Sequence, residues 1–218
     1  MIERPILFSG PMVRAILEGR KTQTRRVVKY RVFHNPPHAL DFHNDSRWVG
    51  ACHENGRSGN GLKLCPYGQP GDRLWVRETW ASHIDEDRLP SRDCSKDIRF
   101  YQECHGDQRG KNPRIGKWRP SIHMPRWHAR IELKIIAVRV ERLQQISAKD
   151  IIAEGAVARA HDDRFGHNPV SAFDGKVYLD LRSLWAAGWN SINAKRAPWA
   201  SNPWVWVVEF KLLKGAAP

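Results

Sequence analysis

Two stretches of the chain, residues 129–140 (ARIELKIIAVRV) and 204–212 (WVWVVEFKL), divide their side chains into alternating sets. A period of two suits extended backbone, where successive side chains point to opposite faces, and does not suit a helix. In the first stretch Ile131, Leu133 and Ile135 share a face before the phase slips near Ala137. In the second, Trp204, Trp206, Val208 and Phe210 oppose Val205, Val207, Glu209 and Lys211. Shorter extended segments are expected at Ile6-Leu7-Phe8, over 20–28, and over 73–80, where Leu74, Val76 and Glu78 share a side.

Short helices separate these strands. Ser9-Gly10-Pro11 opens one that buries Val13, Ile16 and Leu17 and stops at Gly19. Ser147 caps a second, with Asp150 in the capping-box position and Gly155 as its end. Tyr178, Leu181, Leu184, Trp185 and Gly188 form the stripe of a third. Residues 31–69 and 81–120 lack a regular period and read as irregular insertions. The expected architecture is therefore α+β: one domain over 1–218, built on a small, mostly antiparallel sheet or barrel with short flanking helices and two long loop insertions.

The chain holds 36 Lys and Arg against 23 Asp and Glu, a net charge of +13. Residues 1–31 carry +6 and residues 109–142 carry +8, so the rest of the chain nets −1. Such concentration suits a polyanion, because phosphate neutralisation dominates nucleic-acid affinity. A solvated basic surface is the plainer alternative. The longest apolar run, about six residues over 203–208, is far too short to span a bilayer, and the first residues lack the pattern of a secretion signal. A cytoplasmic protein without membrane partners is expected. Cys52, Cys65, Cys94 and Cys104 include no C-x-x-C pair and match no common zinc spacing. Neither a metal nor another cofactor is assigned.

Gly19-Arg20-Lys21-Thr22-Gln23-Thr24-Arg25-Arg26, following a short N-terminal helix, resembles the opening motif of the ASCH domain, a member of the PUA-like group. The likeness continues through Gly71-Asp72-x-Leu74-Trp75-Val76-x-Glu78, the helix from Ser147 to Gly155, and the closing strand over 204–210. The segments CPYGQPGDRLWVRETW and RPSIHMPRW are similar to ASCH-like proteins of bacteriophage and prophage. The resemblance implies a PUA-like β-barrel whose cleft receives a nucleobase. It also implies an amidohydrolase that removes an acyl group from an N4-acetylcytidine-like nucleoside, with Lys21, Thr24 and Glu154 as catalytic residues. The chain is longer than those enzymes and richer in arginine after the motif, which bears on the substrate. A non-catalytic RNA- or nucleotide-binding module and a ribonuclease-like ASCH protein are the alternatives; no helix-turn-helix pattern supports DNA control.

Amide hydrolysis requires a nucleophile, a base and an oxyanion donor. A threonine hydroxyl needs activation, and crowding by Arg20, Arg25 and Arg26 would favour the neutral lysine that can provide it. In a regular strand positions 21 and 24 point to opposite faces, so a shared site requires a bend between them. Each residue also has an ordinary role. Lys21, Arg20 and Arg25 suit a helix C-terminus or a phosphate, and Thr24 suits a strand. Neither Lys21 nor Thr24 lies on an expected apolar face, so replacing either should cost under about 0.5 kcal/mol. Glu78 is a second candidate carboxylate or an ion-pair partner of a nearby arginine. Arg20, Arg25, Arg26, Glu78, Arg114, Lys117, Trp118 and Arg119 are the expected ligand contacts, since aromatics interleaved with arginine suit base stacking and phosphate contact. Among the tryptophans, Trp185, Trp204 and Trp206 are expected in the core.

Overall fold

The computed structural model describes residues 1–28, 49–52, 58–60, 65–97, 99–102, 112–156, 170–171, 177–178 and 180–215. Its strands are β1 (Glu3–Leu7), β2 (Gln23–Val27), β3 (Val49–Cys52), β4 (Ser58–Asn60), β5 (Arg73–Arg77), β6 (Trp80–Ala81), β7 (Phe100–Tyr101), β8 (Glu132–Arg142), β9 (Val170–Ser171), β10 (Val177–Tyr178) and β11 (Trp204–Lys214). The helices are α1 (Gly10–Leu17), α2 (Ala148–Ala153) and α3 (Leu181–Asn193).

Five strands are hydrogen-bonded in the order β1-β5-β8-β11-β2. β1 runs parallel to β5, whereas β5 with β8 and β11 with β2 are antiparallel. The fold is mixed helix and sheet with a mostly antiparallel sheet, but that sheet is open: β1 and β2 are its two ends. Pro5 lies in β1, and a residue without an amide hydrogen belongs at a sheet edge.

The chain packs as two compact units interleaved in sequence. The first comprises residues 1–19, 70–135 and 210–218; the second comprises 20–69 and 136–209.

In the first unit, Val13 and Ile16 are buried on α1, whose first turn holds proline and whose end is followed by Gly19 at φ 74°. The sequence pattern anticipates one buried face on the strand after Asp72. Instead Leu74, Trp75 and Val76 are all buried, because both faces of β5 are covered. The stretch from 81 to 120 is shaped by packing on Trp80, not by a period of its own. Trp80 bridges to Arg119 and His83 to Ile115, and Cys94, Tyr101 and Ile115 are buried. Residues 98 and 103–111 of that insertion lie outside the described residues.

Glu78 is buried and binds Arg130 through both oxygens, at 2.9 Å each, while the Arg130 guanidinium lies over Tyr101. Burying two charges costs several kcal/mol per ion before their attraction is counted, so each depends on the other. Glu78→Ala is expected to lower stability by about 3–5 kcal/mol, read from a urea midpoint, by leaving Arg130 unpaired in the core.

The phase slip near Ala137 is present in β8: Ile135, the last residue of that stretch of the first unit, is buried before it, and Val138 of the second unit after it. Ser147 caps α2 in a reciprocal capping box with Asp150, and Gly155, at φ 91°, follows the end. Asp180 caps α3, which buries Leu184 and Trp189; Gly188 is exposed and Tyr178 lies in β10, so the stripe runs differently from the expected one. Leu143, Trp189, Val205 and Val207 form a core with Trp185 and Trp199 against it. Of the insertion at 31–69, the described part includes the antiparallel pair β3 and β4; residues 29–48, 53–57 and 61–64 lie outside it. No helix among the described residues is long and apolar enough to cross a membrane.

Candidate functional site

Paired residues of antiparallel strands share a face. The register of β11 with β2 sets Arg25 beside Val207 and Gln23 beside Glu209, whereas Thr24 lies beside Val208 and Arg26 beside Trp206. The Arg25 face of β2 meets α2. There, Asp150 and Glu154 are four residues apart and hence on one side of the helix end. Gln23 Nε2 donates to the Asp150 side chain at 3.1 Å. Arg25 lies 3.2 Å from Asp150, 3.4 Å from Glu154 and 3.0 Å from Glu141 of β8. Arg139, also on β8, lies 3.1 Å from Asp150 and pairs with Glu141 and Glu209.

Lys21 stands before the first residue of β2. It forms a bridge to Glu154, and the amide of the next residue, Thr22, donates to the Ala153 carbonyl at 2.8 Å. The ammonium donates to the Glu154 carboxylate at 2.7 Å and to its carbonyl at 2.8 Å. The two side chains are 0% and 2% exposed, from positions 133 residues apart in sequence. Burial pushes the Lys21 pKa below the ordinary lysine value, with Arg26 and Arg25 adding to the effect and Glu154 opposing it. Burial works against ionisation of Asp150. The Ser147 hydroxyl, the Arg25 charge and the Gln23 amide outweigh it, and the Asp150 pKa falls to about 2.

The structure thus joins Lys21 to Glu154 and sets Thr24, 3% exposed, on the other face of β2 from Arg25. Among the described residues no hydrogen bond ties the Thr24 hydroxyl to Lys21 or Glu154. The Glu154 charge acts on Arg26, on the Thr24 face, and the Arg26 charge in turn acts on Lys21.

The remaining expected contacts divide. Arg20 donates to the Gly155 carbonyl at 3.1 Å, beside the pair. Arg25 is buried and held by three carboxylates, so it shapes the site instead of offering itself to phosphate. Arg119 is also buried, donating to the Glu86 and Leu89 carbonyls with its guanidinium over Trp80. Glu78 is engaged by Arg130. Arg114 and Lys117 are exposed and Trp118 is half-buried. Much of the basic density is therefore matched internally: Arg126 pairs with Glu3 and Glu132, Arg130 with Glu78, and Arg139 with three carboxylates.

Glu141, Arg139, Glu209, Gln23 and Asp150 escape the sequence reading as site residues. The alternation of positions 21, 23 and 25, set against the four-residue spacing of Asp150 and Glu154, is the signal that would have found Gln23 and Asp150. No cluster of His, Cys, Asp and Glu able to hold a metal occurs among the described residues. Cys65 and Cys94 are buried, and Cys104 lies outside the described residues.

Compared with protein-family models, with curated proteins and with solved structures, the chain has no match.

Proposed function

We propose that the chain is a PUA-like, ASCH-type amidohydrolase of phage or prophage kind. Its substrate is an acylated cytosine nucleoside such as N4-acetylcytidine, and Lys21, Thr24 and Glu154 carry the reaction. The observation that supports this most is the buried meeting of Lys21 with Glu154. Desolvation penalises such a pair heavily, so a purely structural role has cheaper apolar substitutes. Burial also favours the neutral amine that a base requires.

In this reading the Thr24 hydroxyl attacks the acyl carbon while its proton passes to neutral Lys21 Nζ. Glu154 holds that amine in place. The resulting ammonium returns the proton to the departing amino nitrogen as the carbon–nitrogen bond breaks, and water then releases the acid from Thr24. Substrate binding must bring the Thr24 hydroxyl within hydrogen-bond reach of Lys21, a contact that often tightens only in the complex. If the residues act as a unit, Lys21→Ala, Thr24→Ala and the double variant lose nearly the same activity.

The test is incubation with N4-acetylcytidine, monitored for cytidine. Turnover that persists at high salt supports the hydrolase. The satisfied, ion-paired state of Lys21 favours one other reading, a module that binds a modified base without turnover. That reading expects no cytidine and a steep salt dependence of RNA binding.

A further inference from the structure

A second place in the same unit has the opposite electrostatic character. A pocket of about 410 Å³ is lined by Val27, Val28, Arg142, Arg196, Trp204 and their neighbours from 197 to 203. The lining contains two guanidinium groups and no carboxylate. Elsewhere in this unit Arg25 and Arg139 each meet several carboxylates; Arg142 and Arg196 have no ion-pair partner among the described residues. Two like charges facing one concave space repel each other and are relieved by an anion.

The Arg142 side chain is built into its position. Its guanidinium lies 4.1 Å over the Trp204 ring, and Nη1 donates to the Asn202 carbonyl at 3.2 Å. Asn202 takes a left-handed conformation, φ 44°, the one non-glycine positive φ among the described residues. Its side chain accepts the Gln144 amide at 2.8 Å, which locks the turn that aims its carbonyl at Arg142. Uncommon backbone held by specific bonds is a frequent feature of ligand clamps. Arg196 is exposed and free to swing toward the same ligand.

We infer that this pocket binds the phosphate of a nucleotide, gripped by Arg142 and Arg196 beside the Trp204 ring. Guanidinium forks match phosphate oxygens in geometry as well as charge. The inference stands on the pocket itself and does not require turnover at Lys21.

The test measures polarisation of a fluorescent single-stranded RNA of about a dozen nucleotides, bound to the full chain between about 50 and 200 mM salt. Arg142→Gln/Arg196→Gln should weaken binding about tenfold or more and flatten the salt slope by about one to one and a half units. Arg196→Gln alone alters an exposed side chain, so it reports the same loss in part without endangering the fold. Competition by inorganic phosphate or a nucleoside monophosphate would identify a terminal phosphate as the ligand. Loss of RNA binding in the variants without such competition would identify the backbone diester. Unchanged affinity and slope in the double variant would overturn the assignment, as would a loss produced only by Arg114→Ala/Lys117→Ala. Failure of N4-acetylcytidine hydrolysis with these RNA effects intact would count against the amidohydrolase alone.

Discussion

Glu154→Ala is expected to abolish the proposed hydrolysis and to cost about 3–5 kcal/mol of stability, because it strips Lys21 of its buried counter-charge and Arg25 of one of three. Breaking one side of a buried ion pair leaves the other charge uncompensated, and this differs from the small cost expected for surface positions. Lys21, 2% exposed, falls under the same rule; Thr24, 3% exposed, carries no charge but is likewise a buried position, so neither replacement is a surface substitution. Lys21→Ala/Glu154→Ala should recover part of the loss, since removing both charges removes the unpaired one. Non-additivity of about 0.5–3 kcal/mol in a urea-denaturation cycle would measure their coupling. Additive losses would mean that the pair does not act as a unit.

A large pH effect is expected from His128. Its ring is 0% exposed, with centroids of Trp80, Tyr101 and Trp127 at 4.3, 5.3 and 5.2 Å, and among the described residues neither ring nitrogen has a hydrogen-bond partner. Burial, with the nearby Arg99 charge, lowers its pKa from 6.5 to about 3. Between these values the unfolded chain binds a proton that the native ring refuses, so stability falls as pH drops from 6.5 toward 3. A shift of that size corresponds to about 5 kcal/mol. His128→Phe should remove most of this slope, and should gain about 1–3 kcal/mol at neutral pH by deleting two unpaired polar atoms. Denaturant midpoints at several pH values read both effects. The contribution of Asp150 lies lower, lost only as pH falls from 3.8 toward 2, so the two can be separated.

Local rules in the sequence carry the fold well where one rule acts alone. The phase slip in β8, the capping box of Ser147 with Asp150, and the glycines that end α1 and α2 depend on adjacent residues, and all are where the pattern sets them. Tertiary packing decides the rest. β5 reads as one-sided because Trp75 and Arg73 alternate with Leu74, yet Trp75 is buried by distant Met124 and Ala129. Concentrated positive charge in residues 109–142 reads as a binding face, but Arg119 and Arg130 are drawn inward by partners 30 to 52 residues away. The site divides the same way. Lys21 with Glu154 is suggested by a motif and a helix end. The carboxylates Glu141 and Glu209 join through Arg25 and Arg139, on a register that sequence spacing does not encode.

Lys21→Arg, compared with the native chain for N4-acetylcytidine binding and turnover, separates a proton acceptor at position 21 from a simple positive charge. A guanidinium keeps the positive charge beside Glu154 but cannot give up its proton near neutral pH. If Lys21 is the base, the variant binds the nucleoside and releases no cytidine, whereas turnover retained near the native rate would show that Lys21 is not the base.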